Sequence, residues 1–275
     1  MHPISLRPLI QGLLLADGKT VDALEKEANV TRRRAAEILQ GLDDLGLVRY
    51  EKDTAIITET GINFVESFRT SDWKKLHEIL SANNAEYRTV AEILCDNEGP
   101  HGLTMPEICR KQNQIRLNAV VSEICLEWGL RLGIFQKNLY TSGIGSRYYY
   151  VSKESETTDG FTTKLVELYN QLNIGKSGQR IFYVSIPELR ELVCEHLRLR
   201  RTAFDDMLRD HYLANTGRME LSGGPLTGTA RRAPTRRLSI FADRSSVIMA
   251  PKIALESQEG LRFRGRVYQM VAFLR

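Results

Sequence analysis

Arg32, Arg33 and Arg34 occupy the first positions of a predicted helix. Guanidinium groups suit phosphate oxygens and the edge of guanine, because each presents a fork of donors to two acceptors. Cations in the first turn oppose the helix dipole, at a cost of about 0.3–1 kcal/mol each when exposed. Nucleic-acid binding therefore explains the position of these arginines better than helix stability does. The alternative is a solvated face on which the arginines pair with Glu37 or other nearby acids.

Weaker candidates for nucleic-acid contact lie elsewhere in the first half of the chain. Gln40 is further along the exposed face of the same predicted helix, and Lys52 lies in the turn of a predicted hairpin. A second set surrounds a later predicted helix and hairpin: Gln114, Arg116, Asn118, Lys137 and Arg147. Glu123 and Glu127 are predicted on the outer side of that helix, where they would repel phosphate. This region is therefore equally consistent with a spacer or a protein-binding module.

Positive charge is concentrated towards the C-terminal end. The chain has a net charge of +4, but residues 158–275 hold 19 basic and 12 acidic residues, whereas residues 1–70 hold 9 and 11. Such asymmetry indicates a polyanionic partner. The arginines expected to contact phosphate in this part of the chain are Arg200, Arg201, Arg231, Arg232, Arg236, Arg237, Arg262, Arg264 and Arg266.

These arginines occupy three settings. The first two precede a predicted helix that starts with the capping-box pattern Thr202-x-x-Asp205 and exposes Asp205, Asp206 and Asp210, which makes it a poor reader of DNA. The next four lie in a loop rich in Gly, Pro and Thr, which suits phosphate tracking, the alternative being a solvated loop. The last three alternate along one predicted strand, so we expect all three to point to the same face.

Catalytic and metal-binding patterns are not found. The four cysteines (Cys95, Cys109, Cys125 and Cys194) form no C-x-x-C pair, and the five histidines are scattered, so we expect structural thiols and no metal ligands. Gly175, Lys176 and Ser177 match the end of a phosphate-binding loop. However, Asn170 stands where the first glycine is required, and a predicted strand follows instead of a helix. We therefore predict no enzymatic activity and no cofactor.

Short helices and a hairpin must position the first arginines. Apolar spacing predicts helices over residues 9–16 and 20–28 and a third helix capped by Thr31, followed by two short strands. The strings L-G-L-V-R-Y (45–50) and I-T-E-T-G (57–61) look like the two ends of the wing in many winged-helix regulators. The stretch over about residues 5–68 thus resembles the winged-helix family of DNA-binding domains. The resemblance implies that the third helix lies in the major groove and that the wing contacts the backbone or the minor groove.

The same order of elements recurs along the chain. We predict a winged-helix domain over residues 1–70 and a linker helix with a second winged-helix domain over 71–152. A polar linker over 153–160 then precedes a third, expanded and basic winged-helix-like domain with extra strands over 161–275. The predicted fold class is α+β, mainly α with small β wings.

These observations predict a non-catalytic protein that binds double-stranded DNA. The first unit would read the major groove, and the basic C-terminal part would hold the phosphate backbone. The alternative is a winged-helix scaffold for protein–protein assembly in a larger DNA-processing or defence complex, and a homodimer is consistent with both. Transcription regulation, replication and repair stay open. No stretch approaches the ~18 apolar residues of a membrane span, and unpaired cysteines favour a reducing cytoplasm.

Overall fold

The chain forms a mixed α+β structure in which helices predominate. The computed structural model describes residues 4–51, 53–111, 118–141, 145–153, 155–174, 182–223 and 259–274, and about 59% of these residues are helical. The remaining regular structure consists of small antiparallel sheets. The expected α+β class is therefore confirmed.

The described residues divide into two compact units. The first unit contains residues 4–97 and 103–135, and the second contains residues 98–102, 136–223 and 259–274, each with the gaps given above. The border between them runs through residues 71–152, so the organisation into three winged-helix domains stays a prediction.

Helices dominate the first part of the chain. The elements up to residue 111 are α1 (Leu6–Ala16), α2 (Val21–Ala28), α3 (Arg32–Asp44), β1 (Val48–Glu51), β2 (Thr54–Ile57), α4 (Glu59–Arg69), α5 (Trp73–Asn83), α6 (Ala85–Cys95), β3 (Leu103–Thr104) and α7 (Met105–Lys111). The elements after residue 117 are α8 (Ala119–Leu132), β4 (Phe135–Asn138), β5 (Arg147–Tyr150), α9 (Thr158–Asn173), β6 (Val184–Ser185), α10 (Ile186–Leu197), α11 (Arg201–Ala214), β7 (Met219–Ser222), β8 (Leu261–Phe263), β9 (Arg266–Tyr268) and β10 (Met270–Phe273).

Side-chain caps define the starts of α2, α3 and α4 in the first 70 residues. The hydroxyls of Thr20, Thr31 and Thr58 each accept a hydrogen bond from the backbone N–H three residues later, which satisfies one donor of the first helical turn. Asn29 ends α2 in the left-handed conformation, with φ at 51°, so α3 follows after a tight turn. The predicted cap at Thr31 is confirmed.

The core of the first unit joins α1 both to α3 and to α8. Gly12 lets α1 approach α3 closely, since a Cβ at Gly12 would lie only 2.3 Å from Cγ2 of Ile38. At the other end of α1, the indole of Trp128 donates to the carbonyl of Ile4 at 2.9 Å, and Glu127 accepts from the N–H of Leu6 at 3.1 Å. The prediction that Glu127 lies on the outside of α8 is wrong, because this carboxylate is buried against α1.

The second unit is built around α9, α10, α11 and a three-stranded sheet. Strand β10 lies between β6 and β7 and is antiparallel to both, while β8 and β9 form a separate hairpin. Tyr149, Phe161 and Phe204 contribute to the buried core. Helix α9 begins at Thr158, inside the predicted linker over residues 153–160, because the Thr157 hydroxyl caps it by accepting from the N–H of Gly160 at 3.1 Å.

A common order of elements is found at the start of the first unit and in the second unit. A helix, a short extended segment, two more helices and a strand follow one another in both regions, and the last strand of each region lies between the other two extended segments. In the second unit the β8–β9 hairpin is inserted before that last strand. In the first case Lys19 forms a bridge to Ala55 of β2, which also pairs with β1. In the second case β10 pairs with β6 and with β7. Both regions therefore place their third helix, α3 or α11, directly before a strand of a small antiparallel sheet.

Candidate nucleic-acid interface

The first turn of α3 brings the three predicted arginines to the surface, each with an acidic partner. Nε of Arg32 lies 3.2 Å from Oδ1 of Asp22 in α2. Nε of Arg33 and Nη1 of Arg34 lie 3.0 Å from the two carboxylate oxygens of Glu37, one turn further along α3. The three arginines that were predicted to bind DNA thus form ion pairs with nearby acids, as the alternative of a solvated helix face also predicts.

These ion pairs are open to water. The side chains of Arg32 and Arg33 are 73% and 89% exposed, and that of Arg34 is 37% exposed. Hydrogen bonds from Arg34 and Arg33 lower the pKa of Glu37. Exposed ion pairs of this kind contribute little to the stability of a fold. We call Arg32, Arg33 and Arg34 the arginine cluster.

The charges of α3 oppose its dipole at both ends. The first turn holds the arginine cluster and no acid, while Asp43 and Asp44 close the helix and its last turn holds no base. Both arrangements are the reverse of what stabilises a helix. Gln40 is exposed and donates to Asp44 at 2.9 Å. The charge distribution of α3 therefore does not stabilise the helix through its dipole.

The described candidates of the middle region have structural partners. Asn118 caps α8, its side-chain oxygen accepting from the N–H of Val121 at 2.8 Å. The ammonium of Lys137 lies 5.8 Å from the centre of the Tyr148 ring. Arg147 is largely buried, 3.8 Å from the carboxylate of Glu195. Lys52, Gln114 and Arg116 lie outside the described residues.

The guanidinium of Arg201 binds other groups of the second unit. Its Nε and Nη2 bind the two oxygens of buried Glu191 at 2.5 Å and 2.7 Å, and Nη2 also donates to the carbonyl of Lys137 at 2.6 Å. Burial lowers the pKa of Arg201, but the charge of Glu191 and its hydrogen bonds with Arg201 raise that pKa by more, so the net change is upward. Arg200 is half-buried at the N-cap position of α11. Arg231, Arg232, Arg236 and Arg237 lie outside the described residues.

The predicted capping box at the start of α11 is wrong. The helix begins at Arg201, one residue before Thr202, and its N-cap residue makes no side-chain cap. The carboxylate of Asp205 turns instead to buried Arg190, whose Nη1 donates to both oxygens at 3.0 Å. Asp205 is therefore half-buried rather than exposed, and burial raises its pKa.

The C-terminal arginines do not share one face. Arg264 and Gly265 have φ values of 47° and 75° and form a two-residue turn, in which Phe263 pairs with Arg266. Opposite residues of an antiparallel pair share a face, whereas successive residues alternate. Arg262, the neighbour of Phe263, therefore lies on the opposite face from Arg266. The single-strand prediction is wrong because the chain reverses at Arg264 and Gly265.

This hairpin packs through its aromatic residues and leaves its arginines exposed. The rings of Phe263 and Tyr212 are in edge contact, with centroids 5.9 Å apart, and the guanidinium of Arg264 lies 5.0 Å from the Phe263 ring. Arg262 donates to Glu259 at 3.1 Å, whereas no acidic group lies within ion-pair distance of Arg264 or Arg266 among the described residues. We call Arg262, Arg264 and Arg266 the hairpin arginines.

An apolar groove of about 350 Å³ was not expected from the sequence. It lies between α1, α2 and α3 and is lined by Leu14, Leu15, Val30 and Ile38, with Glu27 among its polar residues. The helical period of α1 offered a signal, because Leu14 adds an apolar residue on the side away from the core and is 43% exposed. The groove and the arginine cluster share α3.

Comparison with known proteins provides no family for this chain: neither the protein-family models nor the curated proteins give a match. In the part of the chain that the structure describes, no helix has the length and apolar character needed to cross a bilayer. Over the same residues, no group of three or more His, Cys, Asp or Glu side chains is placed to hold a metal ion.

Proposed function

We propose that this protein binds double-stranded DNA without catalysing a reaction, and that it does so through tandem winged-helix domains. The observation that carries this proposal is the arginine cluster at the exposed start of α3, where the charges oppose the helix dipole. A helix that places its N-terminal residues in the major groove has a use for arginines there, for phosphates and for guanine edges.

The hairpin arginines form a second surface for the phosphate backbone. They are exposed on both faces and at the tip of a short hairpin, so they suit contact with phosphates rather than reading of base edges. Arg201 and Arg147 do not belong to this surface, since their guanidinium groups are directed to buried carboxylates. The proposed division is thus between a reading surface on α3 and a holding surface on the hairpin.

The test is fluorescence anisotropy with a labelled duplex at several salt concentrations. Changing the arginine cluster to alanine should weaken binding at least tenfold, and the slope of log K against log salt should decrease by about 0.9 for each phosphate contact that is lost. Changing the hairpin arginines should weaken binding to all duplexes alike. A wild-type protein that binds no duplex at low salt would rule the proposal out.

Lys75→Ala provides a matched control. Lys75 is an exposed cation on α5 that lies 3.6 Å from Glu78, so its loss removes the same type of surface pair from the same unit. We expect less than a twofold change in affinity. The arginine variants should also fold normally, because removing cations from the first turn relieves unfavourable interactions with the helix dipole.

The apolar groove favours a second candidate function, a scaffold that binds another protein. Exposed Leu14 and half-buried Leu15 suit the apolar side of a partner segment, and the ion pairs of the arginine cluster would then be ordinary surface pairs. Leu14→Asp separates the two candidates, since it should abolish a protein complex that uses the groove and leave the salt dependence of DNA binding unchanged.

A further inference from the structure

Glu37 contacts two members of the arginine cluster at once. Its Oε1 accepts from Nε of Arg33 and its Oε2 from Nη1 of Arg34, both at 3.0 Å. The three residues are spaced i, i+1 and i+4, so one carboxylate on the second turn fixes two guanidinium groups of the first turn. The α3 surface is therefore a small ion-pair network in which Arg33 and Arg34 share one carboxylate.

Each arginine of this network keeps one edge with two donors. Because Glu37 takes Nε of Arg33, the end of that guanidinium, Nη1 with Nη2, has no acceptor among the described residues. Because Nη1 of Arg34 donates to Glu37, the side of that guanidinium formed by Nε and Nη2 also has no acceptor among the described residues. A bidentate contact with O6 and N7 of guanine requires two such neighbouring donors.

The carboxylate also limits contact with phosphate. A guanidinium that is already neutralised by Glu37 gains less from a phosphate oxygen, and a phosphate close to Arg33 or Arg34 is also close to the negative charge of Glu37. A base edge carries no net charge, so this repulsion does not apply to guanine. The carboxylate itself accepts hydrogen bonds only, and it can take one from N4 of cytosine.

We infer that Glu37 is a positioning residue that turns Arg33 and Arg34 from phosphate contacts into readers of guanine, so that the preferred ligand is a duplex with guanine in the major groove contacted by α3. This inference rests on the proposed function. Beyond DNA binding, the selectivity for a base is assigned to the acidic residue Glu37, and the selected base is guanine.

The experiment compares wild type, Glu37→Gln and Glu66→Gln. Glu66 is an exposed residue of α4 without an ion pair among the described residues, so its change removes one negative charge and leaves the network intact. Each protein is used to select from a pool of randomised 20-base-pair duplexes, and its affinity for the unselected pool is measured over a salt series. Glu37→Asp keeps the charge at a shorter reach and serves as the conservative variant.

The expected result is a guanine-containing motif for wild type and for Glu66→Gln. Glu37→Gln should bind the unselected pool about 3–10 times more tightly at low salt, with a salt slope steeper by about 1–2, and its motif should lose guanine. Glu37→Asp should keep the wild-type salt slope. A purely structural role of Glu37 would shift the urea midpoint without altering the motif.

The outcomes separate the two proposals. If wild type binds no duplex, the proposed function fails. If wild type binds duplexes but selects no guanine, or if Glu37→Gln keeps the wild-type slope and motif, DNA binding stands and the role assigned to Glu37 is overturned.

Discussion

The guanidinium of Arg201 binds both carboxylate oxygens of Glu191, through Nε at 2.5 Å and through Nη2 at 2.7 Å. This pair joins the start of α11 to the middle of α10, and a further hydrogen bond reaches the carbonyl of Lys137 in β4. Arg190 and Glu195, the other buried charges of α10, also have partners on other segments. Helix α10 therefore holds the second unit together by charge as well as by apolar packing.

Arg201→Met should destabilise the second unit by about 3–5 kcal/mol, because it leaves the carboxylate of Glu191 buried without its partner. Urea unfolding followed by circular dichroism measures this loss. The double variant Arg201→Met with Glu191→Leu should recover more than half of it, since no charge then stays buried alone. Lys164→Met, which breaks a pair with Glu167 at the surface, should cost less than about 1 kcal/mol. A similar cost for both single variants would contradict the assignment.

The sequence predicted best where a local interaction decides the structure. Thr31 caps α3 and Val48 begins the first strand as expected, because capping and the alternation of apolar residues act over a few positions. The exposed positions of Arg32 and Arg33 followed from the same helical period. Short stretches of chain therefore determine the start of α3 and the exposure of its first two arginines.

The errors arose where a distant segment decides the environment of a side chain. Glu127 faces the N-terminal end of α1, 121 residues away in the chain, and Asp205 faces Arg190 in the preceding helix. The spacing of apolar residues along the sequence predicts neither contact. The reversal at Arg264 was a different failure, since Arg-Gly is a less usual pair than Asn-Gly for a turn with two positive φ values.

Asn118→Ala should lower stability by about 1 kcal/mol, because it removes the acceptor for the N–H of Val121 at the start of α8. Asn118→Ser should keep most of that stability, since serine caps helices nearly as well. Urea midpoints of the two variants provide the measurement. If serine is as harmful as alanine, the cap is not the main role of Asn118.

Lowering the pH from about 7.5 to 5.5 should destabilise the protein through His196. Burial lowers the pKa of this imidazole most, His101 and Lys164 lower it further, and Glu195 and Glu167 act in the opposite sense. The unfolded chain therefore takes up a proton near the ordinary pKa of about 6.5, before the folded chain does. Stability is fully present above that value and is lost as the pH falls towards the lower pKa of the folded state.

Urea unfolding at pH 7.5, 6.5 and 5.5 measures this dependence. Burial also lowers the pKa of His77 and His211, so they act in the same direction as His196. A comparison of wild type with His196→Gln cancels their contributions, and the variant should lose less stability over this range. An identical pH dependence of the two proteins would exclude His196 as a source of the effect.

Arg264→Asn should stabilise the β8–β9 hairpin and weaken DNA binding at the same time. Arg264 has φ at 47° in the first position of a two-residue turn before Gly265, a conformation that asparagine adopts more readily than arginine. We expect a gain of a few tenths of a kcal/mol up to about 1 kcal/mol in unfolding free energy, and a decrease of about 1 in the salt slope because one phosphate contact is lost.

Gly265→Ala is the opposite change, since it strains the turn at φ of 75° and keeps the cation. Unfolding and anisotropy measured on both variants separate the two effects. A turn that gains nothing from asparagine, or a salt slope that does not change, would show that Arg264 is not held in this conformation for contact with phosphate.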